Sequence, residues 1–172
     1  MRSLEERYVE PFFLRMMGTG ALAAGAPSPA EIVETCRPVT PADVVTLLRM
    51  SWRPMVMGAW LSVRHDDPAV GDAAVAALRA CAGSLSAPPL AVAVVARGGP
   101  HALEALYAYH ARDLAGRLGA AGVVAAAVRH LRGDVVPAPS AESTAVFRGL
   151  LSVAAEIRRR HLDAVPGSQG VS

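Results

Sequence analysis

Five histidines, two cysteines and three tyrosines carry most of the ligating, nucleophilic and acid–base capacity of this sequence. The histidines, at 65, 101, 110, 130 and 161, are scattered along the chain. His101 and Glu104 stand three apart, as do His110 and Asp113, a spacing that puts both members of a pair on one helix face. A metal centre needs three or four converging ligands, and neither pair belongs to an HExxH motif or a Cys/His cluster. No metal and no cofactor are therefore expected. Cys36 and Cys81 are isolated, without CxxC spacing, which argues against a disulfide framework and fits a reduced cytoplasmic setting. Ser62, Ser84 and Ser86 lack the surroundings of a nucleophile elbow, and Gly98-Gly99 follows no strand, so it is a turn rather than a phosphate loop. Asp66-Asp67, directly before Pro68, are helix-start acids. No catalytic residue emerges from these patterns.

Four side chains keep some binding potential: Tyr8, Arg53, Tyr107 and His110. Tyr107 and His110 are three apart and should share a face, with Tyr109 pointing elsewhere. Arg53, inside Trp52-Arg53-Pro54, has the planar fork that suits a carboxylate or phosphate. A pocket lined by these four would make a small-ligand binder or an enzyme. The structural alternative has half-buried tyrosines, Trp52 plugging an inter-helix turn and Pro54 fixing the start of the next helix. In that reading Trp52 and Trp60 supply bulk to a core otherwise built from Ala and Val.

The elements that must position these residues are helical. Ser3 and Glu6 form a capping-box pattern ahead of Tyr8, Phe12, Phe13 and Met16, with Pro11 forcing a kink or a boundary. Residues 18–29, rich in Gly, Ala and Pro, form a connector and are expected to be the most mobile internal segment. Thr40-Pro41-Ala42-Asp43 is a helix start, and Ser51-Trp52-Arg53-Pro54 breaks that helix and restarts another. Asp66-Asp67-Pro68 opens a third, running to Cys81. The Val/Ala run 90–96 fits a buried strand by periodicity alone, but it sits in a string of helices with no partner strand, which favours a buried helix. Further helices span 101–114, with Leu103, Leu106, Tyr107, His110 and Leu114 near one side, then 123–131, and 140 to about 162.

The result is an all-α chain of roughly seven to eight helices joined by Pro/Gly turns. Three consecutive pairs, 41–64, 68–96 and 100–131, suggest a HEAT-like repeat, an irregular α-solenoid in which each pair buries its apolar face on the next. A compact helical bundle is the alternative. Residues 1–165 form one domain and 166–172 a polar tail.

Composition narrows the function classes. Of 172 residues 52% are apolar but only 5% aromatic, so the core is made mainly of small side chains. The net charge is +2, and all 17 basic residues are arginine. Arg alternates with Asp and Glu, which does not favour nucleic acid, and the absence of Lys fits a GC-rich genome. The N-terminus has acids where a signal peptide would be apolar, and no apolar run is long enough to span a bilayer. No membrane association is expected.

Arg7-Tyr8-Val9-Glu10-Pro11-Phe12-Phe13-Leu14-Arg15, then Leu47-Leu48 and Trp52-Arg53-Pro54 leading into Gly58-Ala59-Trp60-Leu61, resembles an uncharacterised bacterial family, domain of unknown function 6000. The resemblance covers about Arg7 to Leu131, and Phe13 stands where the family pattern has Tyr. It implies a small all-helical bacterial protein and brings no known activity, so no catalytic residue follows from it. The expected function is a cytoplasmic protein-interaction module, with an immunity-type protein that neutralises a toxin as one concrete form. Its oligomeric state is open. A homo-oligomer would be marked by an exposed apolar stripe of Val146, Leu150, Val153 and Ile157.

Overall fold

The computed structural model describes residues 3–164; the polar tail expected from 166 onward lies outside them. Among these residues the chain is all-helical: α1 (Leu4–Tyr8), α2 (Phe13–Met16), α3 (Pro29–Thr35), α4 (Pro41–Arg49), α5 (Trp52–Ser62), α6 (Pro68–Ala80), α7 (Ala87–Arg97), α8 (Ala102–Gly116), α9 (Ala121–His130) and α10 (Ala141–Ala164). Single 3-10 turns occupy Gly20–Leu22 and Gly99–His101.

The start signals act as their chemistry dictates. Ser3 with Glu6, and Thr40 with Asp43, form complete capping boxes. Ser28 and Asp67 accept from the backbone N–H groups of Glu31 and Ala69, with Pro29 and Pro68 opening the helices behind them. The N-terminal segment is divided into α1 and α2 around Pro11, which cannot continue a helix. α5 begins at Trp52 with Ser51 as N-cap, two residues before Pro54. Pro54 is tolerated there because the first N–H groups of a helix have no internal partner. Residues 18–29 connect α2 to α3: Ala21 is buried, and the Gly18 N–H donates to the Leu85 carbonyl at 2.6 Å.

Three helix pairs, α4–α5, α6–α7 and α8–α9, build the body. Each first helix packs on the next (α4 on α6, α6 on α8), and each second helix likewise (α5 on α7, α7 on α9), so the pairs stack in two layers. α10 then covers α7 and α9 and reaches α3. This leaves α7 enclosed over most of its length, with Ala87 through Val94 all buried. A helix with little solvent face shows no clear amphipathic period, which is why periodicity alone leaves the 90–96 run open to a strand.

Small side chains let the layers approach closely. A methyl group at Gly71 would run into the Arg97 carbonyl oxygen, so α6 meets the end of α7 at backbone distance. At Gly58 it would meet the Leu48 amide nitrogen at 3.0 Å, which sets the spacing of α5 on α4. Large side chains fill the remaining space, with Trp60, Tyr109 and Phe147 all fully buried.

Three expectations are corrected. Trp52 does not plug the turn into α5: it is 41% exposed, and Trp60 alone of the two tryptophans belongs to the core. The buried face of α8 is Ala102, Ala105, Leu106, Tyr109, His110 and Asp113, so Tyr109 and His110 point inward while Tyr107 and Leu114 are exposed. The stripe on α10 faces inward as well, with Leu150 and Ile157 fully buried and Val146 and Val153 packed against the core.

Candidate functional site

The four side chains singled out for binding have four separate settings. Tyr8 is 3% exposed, with the Arg7 guanidinium over its ring at 4.7 Å. Arg53 lies on the surface against Phe13 and Trp52. Tyr107 donates its hydroxyl to the Asp134 carbonyl at 2.5 Å, and His110 is buried within the α8 interface. The structure does not bring them together into one cavity wall.

Several polar side chains, the buried Arg64 and Asp113 among them, are committed to helix ends, whose last carbonyls and first N–H groups lack internal partners. Arg64, 2% exposed, donates to the Cys36 carbonyl at 2.7 Å and to the Arg37 carbonyl at 3.5 Å, closing the C-terminus of α3. Arg112 donates to the carbonyls of Leu78 (3.0 Å) and Cys81 (3.1 Å) at the end of α6. Arg158 donates to the Val63 carbonyl at 3.0 Å at the end of α5. Asp113, 2% exposed, accepts from the N–H groups of Gly119 (2.8 Å) and Ala120 (2.7 Å) at the start of α9.

Two clusters of titratable groups arise around these caps. In the first, His161 Nδ1 lies 3.2 Å from a terminal Arg64 nitrogen, and the His65 and His161 rings meet edge to face at 5.7 Å. Burial and the neighbouring Arg64 cation hold His65 down to about 4, and the same causes lower His161. Burial pushes the Cys36 thiol up to about 11, so it is no thiolate nucleophile at neutral pH. In the second, burial raises Tyr109 and Cys81 and lowers His110, whose Nε2 has no hydrogen-bond partner. In both clusters burial disfavours the charged forms of the histidines, the cysteine and, in the second, Tyr109. The clusters tie helices together; neither opens onto a described cavity.

The exposed chemistry is concentrated at the corner between α4 and α5. Trp52 stands edge-on to Phe13, with ring centroids 5.9 Å apart and planes at 77°. The Arg53 guanidinium lies over both rings, 5.3 Å from Phe13 and 5.4 Å from Trp52. Cation–π contact orders this fork without consuming its N–H donors. No carboxylate pairs with Arg53 among the described residues. One helical turn beyond Trp52, Met55 enters a groove of about 310 Å³ between this corner and α6, lined also by Leu48, Arg49, Met50 and Ala76. On the other side of Ala76 and Ala80 a second hollow, about 500 Å³, continues towards His101. Sequence reasoning selected Trp52 and Arg53 but placed Trp52 inside, and it missed Phe13 and the two methionines as surface partners.

No family model, curated protein or solved structure matches this chain. The geometry of the corner and the groove is therefore the basis for any functional reading. No group of three His, Cys, Asp or Glu side chains able to hold a metal occurs among the described residues, and no helix there is long and apolar enough to cross a membrane.

Proposed function

We propose that this protein is a helical-repeat interaction module that docks a protein partner at the Trp52–Arg53–Phe13 corner and the groove beside it. The observation that carries this reading is the exposure of Trp52. A chain with two tryptophans leaves one of them 41% exposed, stacked with an arginine that keeps free donors. Trp and Arg are among the residues most enriched at the energetic centres of protein interfaces: Trp brings a large rigid contact area, and the planar Arg fork makes several hydrogen bonds for the freedom it loses. Met50 and Met55 add adaptable apolar surface next to them. The partner that fits presents an apolar side chain for the groove and a carboxylate for Arg53.

The two segments that carry the resemblance to domain of unknown function 6000 supply Phe13, Trp52 and Arg53, so a shared docking corner would give that resemblance a physical meaning. An immunity-type role is one form of this function and would show in the partner's identity as a toxin.

A photo-activatable amino acid in place of Trp52, introduced in the native host, tests the proposal. A discrete cross-linked species containing a second protein is expected from position 52 and not from Glu142, on the first turn of α10. Equal labelling at both positions, or none at 52, contradicts it.

A further inference from the structure

We infer that the cleft between α9 and the first turns of α10 binds a small phosphate-bearing molecule. The cleft encloses about 400 Å³, and its walls carry Arg129, His130 and Arg148, with Phe147 and Thr144 beside them. Arg129 and His130 end α9, and Arg148 lies on the second turn of α10, so cations from two helices face one space. Phe147 is 1% exposed and holds the His130 ring edge-on at 5.7 Å, which fixes one wall.

Eight arginines of this protein have an evident structural task. Arg64, Arg112 and Arg158 close helix ends, while Arg37, Arg79, Arg97, Arg159 and Arg160 pair with acids. Arg148 has neither kind of partner among the described residues. Arg129 is paired only with Asp134, at 3.1 Å, and the Asp134 side chain is fully solvent-exposed. An ion pair in that setting contributes little and is readily exchanged for a better anion.

Arginine forks match phosphate oxygens in pairs, and two of them on separate walls suit a dianion or a diphosphate better than a single carboxylate. The volume lies at the lower end of the range for small-molecule sites, which fits a diphosphate or a compact phosphate ester. This cleft involves none of the residues of the proposed docking corner.

Titration calorimetry of the full chain with pyrophosphate, against chloride at matched ionic strength, tests the inference. Saturable binding is expected, weakened roughly tenfold or more by Arg129→Gln and by Arg148→Gln, since each removes charge-assisted hydrogen bonds. Asp134→Asn should tighten binding, because it removes the acid that competes for Arg129; a loss of fold could not imitate that gain. Heat indistinguishable from the chloride control overturns the inference. So does pyrophosphate binding that neither arginine substitution changes.

Discussion

The indole N–H of Trp60 donates to the Met16 carbonyl at 2.9 Å, joining residues 44 positions apart in the chain. Met16 is the last residue of α2, and its carbonyl is one of those a helix cannot satisfy internally. One side chain therefore fills the centre of α5's packing and anchors the N-terminal segment to it. Trp60→Ala should cost about 3–5 kcal/mol, whereas Trp60→Phe keeps most of the ring and should cost less, leaving the Met16 carbonyl unpaired. Trp52→Ala and Arg53→Ala, on the surface, should stay within about 1 kcal/mol of the parent. Chemical denaturation of the four variants checks this order.

Gly71→Ala separates helix propensity from packing. Alanine is favoured over glycine inside a helix by about 1 kcal/mol. Here the added methyl would run into the Arg97 carbonyl oxygen, and that atom is backbone. The substitution should therefore destabilise, by about 1–3 kcal/mol. A thermal melt of G71A above that of the parent would show that α6 and α7 do not approach as described.

The His65–His161 pair makes stability depend on pH. His65 is held down to about 4 and His161 is lowered, by burial first and then by Arg64, with Arg97 and Arg158 adding repulsion and Asp66 opposing it at His65. A base whose folded value lies below its unfolded value of about 6.5 binds protons more readily when unfolded. Its stabilising contribution is thus complete above about 6.5 and is lost as pH falls from there towards 4. Melting temperature should fall across this window, and His65→Gln should flatten the fall. An equally steep fall in H65Q would assign the effect to other groups.

Asp113→Ala tests the buried cap of α9. The substitution leaves the N–H groups of Gly119 and Ala120 unpaired next to a left-handed Arg117, φ 53°, that brings the chain round to them. A loss of about 2–3 kcal/mol is expected, with hydrogen exchange faster at the start of α9 than elsewhere.

The helical class was legible because its signals are local. Thr40-Pro41 and Asp67-Pro68 mark helix starts through chemistry that depends only on neighbours in sequence. The three helix pairs were legible for the same reason, since Pro and Gly punctuate them. Side-chain direction was not. Trp52 and Trp60 are eight residues apart on one helix, yet one is surface and the other core. The difference lies in what α2 and α4 bring to α5, and no pattern within α5 encodes it. On α8 the hydrophobic pattern grouped Tyr107 and Leu114 with Leu106 and His110, while the structure exposes the first two and buries Tyr109 and Asp113. Asp113 is drawn inward by the N–H groups of α9, a long-range polar need that apolar periodicity cannot register. The candidate corner was half visible: Trp52-Arg53-Pro54 stood out by residue type, but its partner Phe13 becomes evident only when α2 is placed on α5.

The most direct test of the docking corner is the affinity of the partner cross-linked at position 52, measured with the intact protein and with the Trp52→Ala and Arg53→Ala variants. Both variants should keep the parent's thermal stability. Each should weaken binding by about 2 kcal/mol or more, roughly thirtyfold in Kd, as expected for residues at the energetic centre of an interface. Unchanged affinity in both variants would contradict the assignment of this corner as the docking site.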